Sequence, residues 1–235
     1  MATFDAAAAA AQVPAGTPIL FIDTCSFLDI PRIVERARKP GPEIDAAQRV
    51  LKAARGRPAK VALFVAEVVL AEWATNMPVV VDKLTAHVAR VNEDAARISA
   101  CAQSLGLVSL PATKLDELRV PDSLLKIAEA LSQEATVVEE TQLIRLAAFE
   151  REIKGIGPAR KGKQCLKDCT IAESLLRFTE ELRRQSPADL VFLTANTEDF
   201  SDGGSKPHAD LQGDFARLAI QLNFTWGWAA HSLGL

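Results

Sequence analysis

Four short apolar runs without polar alternation stand out along the chain, and each predicts a buried parallel strand. They cover residues 19–23, 61–65, 190–194 and 224–228. Between them lie longer stretches in which apolar residues recur every three or four positions, as in helices that pack on a sheet. Strands that alternate with helices predict an α/β fold, so we expect a central parallel sheet of four or five strands with right-handed crossovers.

The same periodicity predicts helices at 43–55, 67–76, 165–185 and 208–222. Pro78 is expected to end or kink the second of these helices. Residues 79–154 show only helical spacing, which predicts a helical insertion over about 79–158 within a domain that spans 17–235. Residues 1–16 are rich in alanine, lack a basic start and carry Asp5, so we expect a disordered leader and no targeting signal.

The composition of the chain excludes some classes of function. The chain has 235 residues, of which 49% are apolar and 24% charged, and this is enough to bury a core without disulfides. The net charge of −3 argues against a basic nucleic-acid coat, and no apolar run approaches the roughly 20 residues that span a membrane. The four cysteines lack zinc-knuckle spacing, and Cys165 and Cys169 are interpreted as buried thiols of a cytoplasmic protein.

Oxygen-bearing side chains follow the predicted strands. Asp23 closes the first strand, Glu72 lies one turn into the helix after the second, and Asp168 begins a later helix. Asn196 and Asp199 follow the third strand. Each residue alone also fits a structural role, as a helix cap, a first-turn acid or a turn former. Together they would repel one another unless protonated or neutralised by a hard cation, which favours Mg²⁺ or Mn²⁺ over zinc.

Four motifs in this order resemble those of the PIN-domain superfamily of metal-dependent ribonucleases. They are IDTCS at 22–26, LAEW at 70–73, DCTIA at 168–172, and TAN at 194–196 followed by DF at 199–200. The resemblance covers about 17–77 and 161–230. The chain departs from the family pattern at Asn196, where an Asp is usual, and at Cys25, where Asn or Ser is usual.

The resemblance implies a three-layer α/β/α fold and an endoribonuclease that cleaves single-stranded RNA with Mg²⁺ or Mn²⁺. In-line attack by water would leave a 5′-phosphate and a 3′-hydroxyl. The implied catalytic residues are Asp23, Glu72, Asp168, Asn196 and Asp199, with all but Asn196 as metal ligands. Thr24, Ser26 and Thr194 are the implied hydroxyls beside the substrate.

A basic run leads into Asp168. Residues 151–167 hold six basic side chains against one acid, Glu152. We expect four of them to contact the RNA backbone, namely Arg160, Lys161, Lys163 and Lys167. A solvated basic loop is an equal alternative.

Two other functions stay open at this point. The site could have decayed, as Asn196 suggests, leaving a PIN-like module in which the helical insertion recruits a protein. Alternatively, the substrate could be DNA. An antitoxin-like partner, as compact relatives have, and a homodimer are also left open.

Overall fold

Six parallel strands form the single sheet of this computed structural model, which describes residues 3–36, 40–107, 115–159 and 164–235. The strand order is β1-β4-β3-β2-β5-β6. In chain order the strands are β1 (Thr3–Phe4), β2 (Ile19–Ile22), β3 (Ala62–Ala66), β4 (Thr136–Val138), β5 (Leu190–Leu193) and β6 (Ile220–Asn223). The predicted α/β class is confirmed, with six strands where the sequence predicted four or five.

Helices cover both faces of the sheet, which gives the predicted three layers. The first half of the chain contributes α1 (Ala6–Ala11), α2 (Thr24–Arg36), α3 (Pro40–Arg55), α4 (Glu67–Ser104) and α5 (Val120–Glu134). The second half contributes α6 (Gln142–Lys154), α7 (Leu166–Gln185), α8 (Thr197–Phe200), α9 (Ala209–Arg217) and α10 (Trp226–Ser232). A 3₁₀ helix lies at Leu115–Leu118. Helices α1 and α6 pack on α7, whereas α2, α3, α5 and α10 pack on one another.

Aromatic rings anchor α7 to the middle of the sheet. The ring of Phe178 lies 4.5 Å from that of Phe64 on β3 and 5.9 Å from that of Phe21 on β2, measured between centroids. All three side chains are fully buried. Because α7 precedes the parallel strand β5 in a crossover, its first turn lies at the carboxyl edge of the sheet. This packing therefore fixes where Asp168 is presented.

The beginning of the chain is part of the fold, whereas the sequence predicted a disordered leader. Strand β1 pairs in parallel with β4, and the Asp5 carboxylate caps α1 by accepting a bond from the Ala8 amide at 2.8 Å. Ala6, Ala9 and Ala10 are buried. Small side chains let α1 approach its neighbours closely, and this compensates for their modest apolar area.

The predicted strand at 224–228 is wrong. The strand lies earlier, at Ile220–Asn223, and overlaps the end of the predicted helix at 208–222, whereas α10 occupies most of the predicted strand. The Thr225 hydroxyl caps α10 by accepting a bond from the Trp228 amide at 3.2 Å. The Trp226 indole donates to the Ser26 carbonyl at 3.1 Å, which places its ring in the core. Capping and tertiary packing thus outweigh the strand propensity of the aromatic residues.

The predicted insertion contributes a strand to the sheet. Strand β4 lies within residues 79–158, where no strand was expected, and it pairs with β3 and β1. Helix α4 also continues past Pro78 to Ser104. Pro78 removes one helical hydrogen bond, to the Ala74 carbonyl, and both residues are exposed, so water can satisfy that carbonyl.

Candidate metal centre

The strand order reverses direction between β2 and β5. From β2 the chain moves to β3 and β4 on one side, whereas from β5 it moves to β6 on the other. Such a switch point opens a crevice beyond the carboxyl ends of the two strands. Asp23 directly follows β2, and Thr194 directly follows β5, so both lie at this crevice.

Asp23 is held in a buried environment. Its side chain is almost completely inaccessible, and its Oδ2 accepts a hydrogen bond from the Thr194 hydroxyl at 2.6 Å. The pKa of Asp23 is raised from 3.8 to about 7, chiefly by burial and in smaller part by the neighbouring carboxylates of Asp168 and Glu72. The bond from Thr194 acts in the opposite direction. Asp23 is therefore a carboxylate whose charge the protein alone does not fully stabilise.

Glu72 is held by a donor at each oxygen. The Thr24 hydroxyl donates to Oε2 at 2.7 Å, and the Lys167 ammonium lies 3.1 Å from Oε1. The Glu72 side chain is 18% exposed, whereas that of Lys167 is 63% exposed. Folding brings the N-terminal ends of α2, α4 and α7 together around Glu72.

Asp168 lies in the first turn of α7, where the helix dipole favours a negative charge. Its Oδ1 accepts a bond from the Asn196 side-chain amide at 3.2 Å. Asp168 is close enough to Asp23 for its charge to raise the pKa of Asp23. The sequence placed Asp168 on the core-facing side of this helix, in agreement with its partial burial.

Asn196 acts as a donor between two acids. Its Nδ2 donates to Asp199 Oδ2 at 2.9 Å as well as to Asp168. Its Oδ1 accepts a bond from the Asp199 backbone amide at 3.3 Å, which caps the short helix α8. The carbonyl oxygen is the one atom of this side chain that could ligate a metal ion, and here it is used as the cap.

The predicted hydroxyls lie at the site but are turned toward the protein. Thr194 is bonded to Asp23 and Thr24 to Glu72, as above, and Ser26 donates to the Leu193 carbonyl at 3.2 Å. All three residues are buried. They therefore orient the carboxylates and the two central strands, and their place beside a substrate stays a prediction.

The basic residues are only partly within the described structure. Lys167 lies at the crevice through its ion pair with Glu72. Arg160, Lys161 and Lys163 lie outside the described residues. The sequence predicts that Lys167 contacts RNA, and it did not predict the ion pair with Glu72. The position of Lys167 next to Asp168 was an available signal that this lysine lies near the acidic residues.

A divalent cation fits the chemistry of this crevice. Carboxylate and hydroxyl oxygens are ligands that Mg²⁺ and Mn²⁺ prefer, and Asp23 is buried beside two further acids. Within the described ranges no three Asp, Glu, His or Cys side chains are already spaced as a formed metal site. Lys167, Thr24 and Asn196 contact the neighbouring carboxylates, so a cation would share those carboxylates with these donors or compete with them.

Cysteine chemistry is not favoured at this site. Burial raises the pKa of the Cys25 thiol above its ordinary range, and Asp23 and Asp168 raise it further. Burial likewise raises the pKa of Cys169 to about 12. Cys165 and Cys169 are both buried, as expected from the sequence. A protonated thiol is a poor nucleophile, so neither Cys25 nor Cys169 is suited to act as one here.

Comparisons with known proteins support one family. A family model described as a PIN domain matches residues 20–200, about three quarters of the chain. The match includes Asp23, Glu72, Asp168 and Asp199, the acidic residues of this site. Neither a curated protein nor a solved structure matches the chain. None of the helices in the described ranges is long and apolar enough to cross a membrane.

Proposed function

Because the chain belongs to the PIN-domain family, whose members are generally nucleases, we propose that it is a Mg²⁺- or Mn²⁺-dependent endoribonuclease acting on single-stranded RNA. The observation that supports this most strongly is the buried Asp23 at the switch point of the sheet, within electrostatic reach of Asp168 and Glu72. A structural cap has no need of two neighbouring acids that raise its pKa.

We assign Asp23 and Asp168 as the principal cation ligands and Glu72 as a third. When bound, the cation supplies an activated water and offsets the negative charge that develops on the phosphate. Thr194 keeps the Asp23 carboxylate pointed into the crevice, and Thr24 does the same for Glu72. Asn196 and Asp199 complete the site from the side of β5.

Hydrolysis is an in-line displacement at phosphorus. The oxygen of water forms a bond to phosphorus while the bond from phosphorus to the 3′ oxygen breaks. The leaving 3′ oxygen takes up a proton, so the products are a 5′-phosphate and a 3′-hydroxyl. Orientation of the phosphate against the attacking water is the main contribution of the folded chain.

Basic residues are needed beside this acidic site, since RNA and the carboxylates carry the same charge. Lys167 is exposed, lies at the crevice and can exchange its partner Glu72 for a phosphate. We propose that Arg160, Lys161 and Lys163 extend this contact along the backbone.

The Asp23→Asn variant tests the proposal. It keeps the size and the ability to accept the Thr194 bond, but it removes the charge of the principal ligand. We expect Mn²⁺-dependent cleavage of a labelled single-stranded RNA to fall by on the order of a hundredfold or more. Asp45→Asn, which makes the same change on the exposed side of α3, should cut normally. Undiminished cleavage by Asp23→Asn would refute the assignment.

A second candidate is a PIN-like module without nuclease activity, and the donor role of Asn196 favours it. A module would show no stabilisation by Mn²⁺, whereas an ion bound to the folded state raises its stability by mass action. Cleavage of a matched DNA strand by the wild type would instead extend the substrate class. A protein or antitoxin partner and a homodimer remain predictions of the sequence.

A further inference from the structure

We infer that this site holds one divalent cation rather than two, because the Asn196 amide donates to both Asp168 and Asp199, the acids that a second cation would have to share. The inference rests on the proposed function, since it concerns the same carboxylates. It assigns Asn196 as the positioning residue that sets the number of ions.

The orientation of the Asn196 amide is fixed from two sides. Its Oδ1 accepts the Asp199 backbone amide at 3.3 Å as the cap of α8, and its Nδ2 donates to Asp199 Oδ2 at 2.9 Å. The same Nδ2 donates to Asp168 Oδ1 at 3.2 Å. A flipped amide would place the carbonyl oxygen against two carboxylates and the NH₂ group against a backbone N–H. The network therefore allows one assignment of the amide.

An amide NH₂ group cannot ligate a cation, because it carries only donors. It nevertheless provides what the two acids need, namely one hydrogen bond to each carboxylate. Hydrogen bonds to charged acceptors are stronger than neutral ones, and Asp199 is only 2% exposed. A cation between Asp168 and Asp199 would have to break both bonds and also displace the cap of α8.

On the opposite side of the crevice, the Glu72 carboxylate is held by different donors. Glu72 is bonded by Thr24 and by the ammonium of Lys167, whose side chain is 63% exposed. Exposed ion pairs are weak and exchange readily with solvent ions. A cation bound at Asp23 can therefore draw Glu72 away from Lys167, whereas the bridge from Asn196 to the buried Asp199 stays in place. This asymmetry leaves room for one ion, on the Asp23 side.

The number of ions can be counted directly. Titration of the full chain with Mn²⁺, with free Mn²⁺ measured from its electron paramagnetic resonance signal, gives a stoichiometry that does not depend on activity. We expect one Mn²⁺ per chain for the wild type. Asn196→Asp replaces the bridging amide with a carboxylate, so we expect two. Asn92→Asp adds the same charge on α4 about 30 Å along the helix from Glu72 and should leave the count at one.

Each outcome is decisive. Two ions in the wild type would overturn the inference and leave the proposed nuclease intact. No bound ion would overturn both. A count that stays at one in a folded Asn196→Asp variant, checked by circular dichroism, would show that Asn196 does not set the number. The wild-type count tests the inference even if that variant fails to fold.

Discussion

Asp23 shows how a site residue can work against the stability of its own fold. Its pKa of about 7 in the folded protein, raised first by burial, compares with an ordinary value of 3.8. The folded state therefore binds this proton more tightly than the unfolded state does. As a result, the charged form of Asp23 costs folding free energy at neutral pH when no cation is bound.

Because the pKa of Asp23 is raised in the folded state, the stability of the protein should depend on pH. Without divalent cations, we expect the contribution of Asp23 to the free energy of unfolding to fall as pH rises from about 4 to about 7 and to stay low above that. Asp23→Asn removes the cost, so at pH 8 it should be more stable than the wild type by roughly 1–3 kcal/mol. Urea unfolding in EDTA at pH 4 and pH 8 measures this, with Asp45→Asn as control. Equal stability of Asp23→Asn and wild type at pH 8 would contradict it.

Lys167 is expected to contact RNA. In the Asp23→Asn background, which should not cut, Lys167→Met should weaken RNA binding about three- to tenfold and reduce the salt slope by about 0.7, as for one lost phosphate contact on a single strand. Lys154→Met removes an exposed lysine that pairs with Glu150 on α6 and serves as the control. Binding measured by fluorescence anisotropy at several salt concentrations decides the matter. If the two variants have the same slope, Lys167 does not contact phosphate.

Residue types at strand ends predicted much of the candidate site. Asp23, Glu72 and Asp168 could be found because acids that follow apolar strands or open helices are few in this chain. Their partners could not be predicted, because hydrogen bonds depend on side-chain directions that spacing does not give. For Asn196, the spacing did not show that the backbone of α8 takes its carbonyl oxygen and leaves the NH₂ group for the acids.

Helices and strands were predicted best where they are long or buried on both sides. Strands β2, β3 and β5 lie within one residue of the predicted runs, since continuous apolar runs are typical of central parallel strands. Strand β4 has three residues and β1 has two, too few for any periodicity, and their pairing joins residues more than 130 positions apart. Helix α10 begins after the Thr225 cap, within an aromatic run whose residue types favour a strand.

The packing of helix α1 against the rest of the fold can be tested by substitution. Ala9 is fully buried on α1, whereas Ala7 is exposed on the same helix. Ala9→Glu should lower the free energy of unfolding by about 3 kcal/mol, since it forces a charge into a closely packed contact. Ala7→Glu has the same helix propensity cost and should change stability by less than about 0.5 kcal/mol. Equal effects in urea unfolding would mean that α1 is not packed as the structure describes.

At the scale of the whole molecule, the order of the strands brings the residues of the candidate site together. Residues 23, 72, 168 and 196 are far apart in the chain, yet parallel strands with crossovers place their ends at one edge, and the reversal between β2 and β5 opens the crevice there. The fold class follows from the alternation of strands and helices, so the position of the site could be predicted before its geometry. The carboxylates then repel one another in the folded state, and a bound cation would relieve this repulsion.

The stabilisation that Mn²⁺ gives at pH 8 tests this account most directly. Calorimetric melting of the wild type with and without Mn²⁺ at about 100 times its dissociation constant should show a gain of about 2.7 kcal/mol in stability. The Asp23→Asn variant should start from a higher melting temperature in EDTA and gain little from the ion. A wild type that Mn²⁺ does not stabilise, or an Asp23→Asn variant stabilised equally, would contradict the claim that these acids form a cation site.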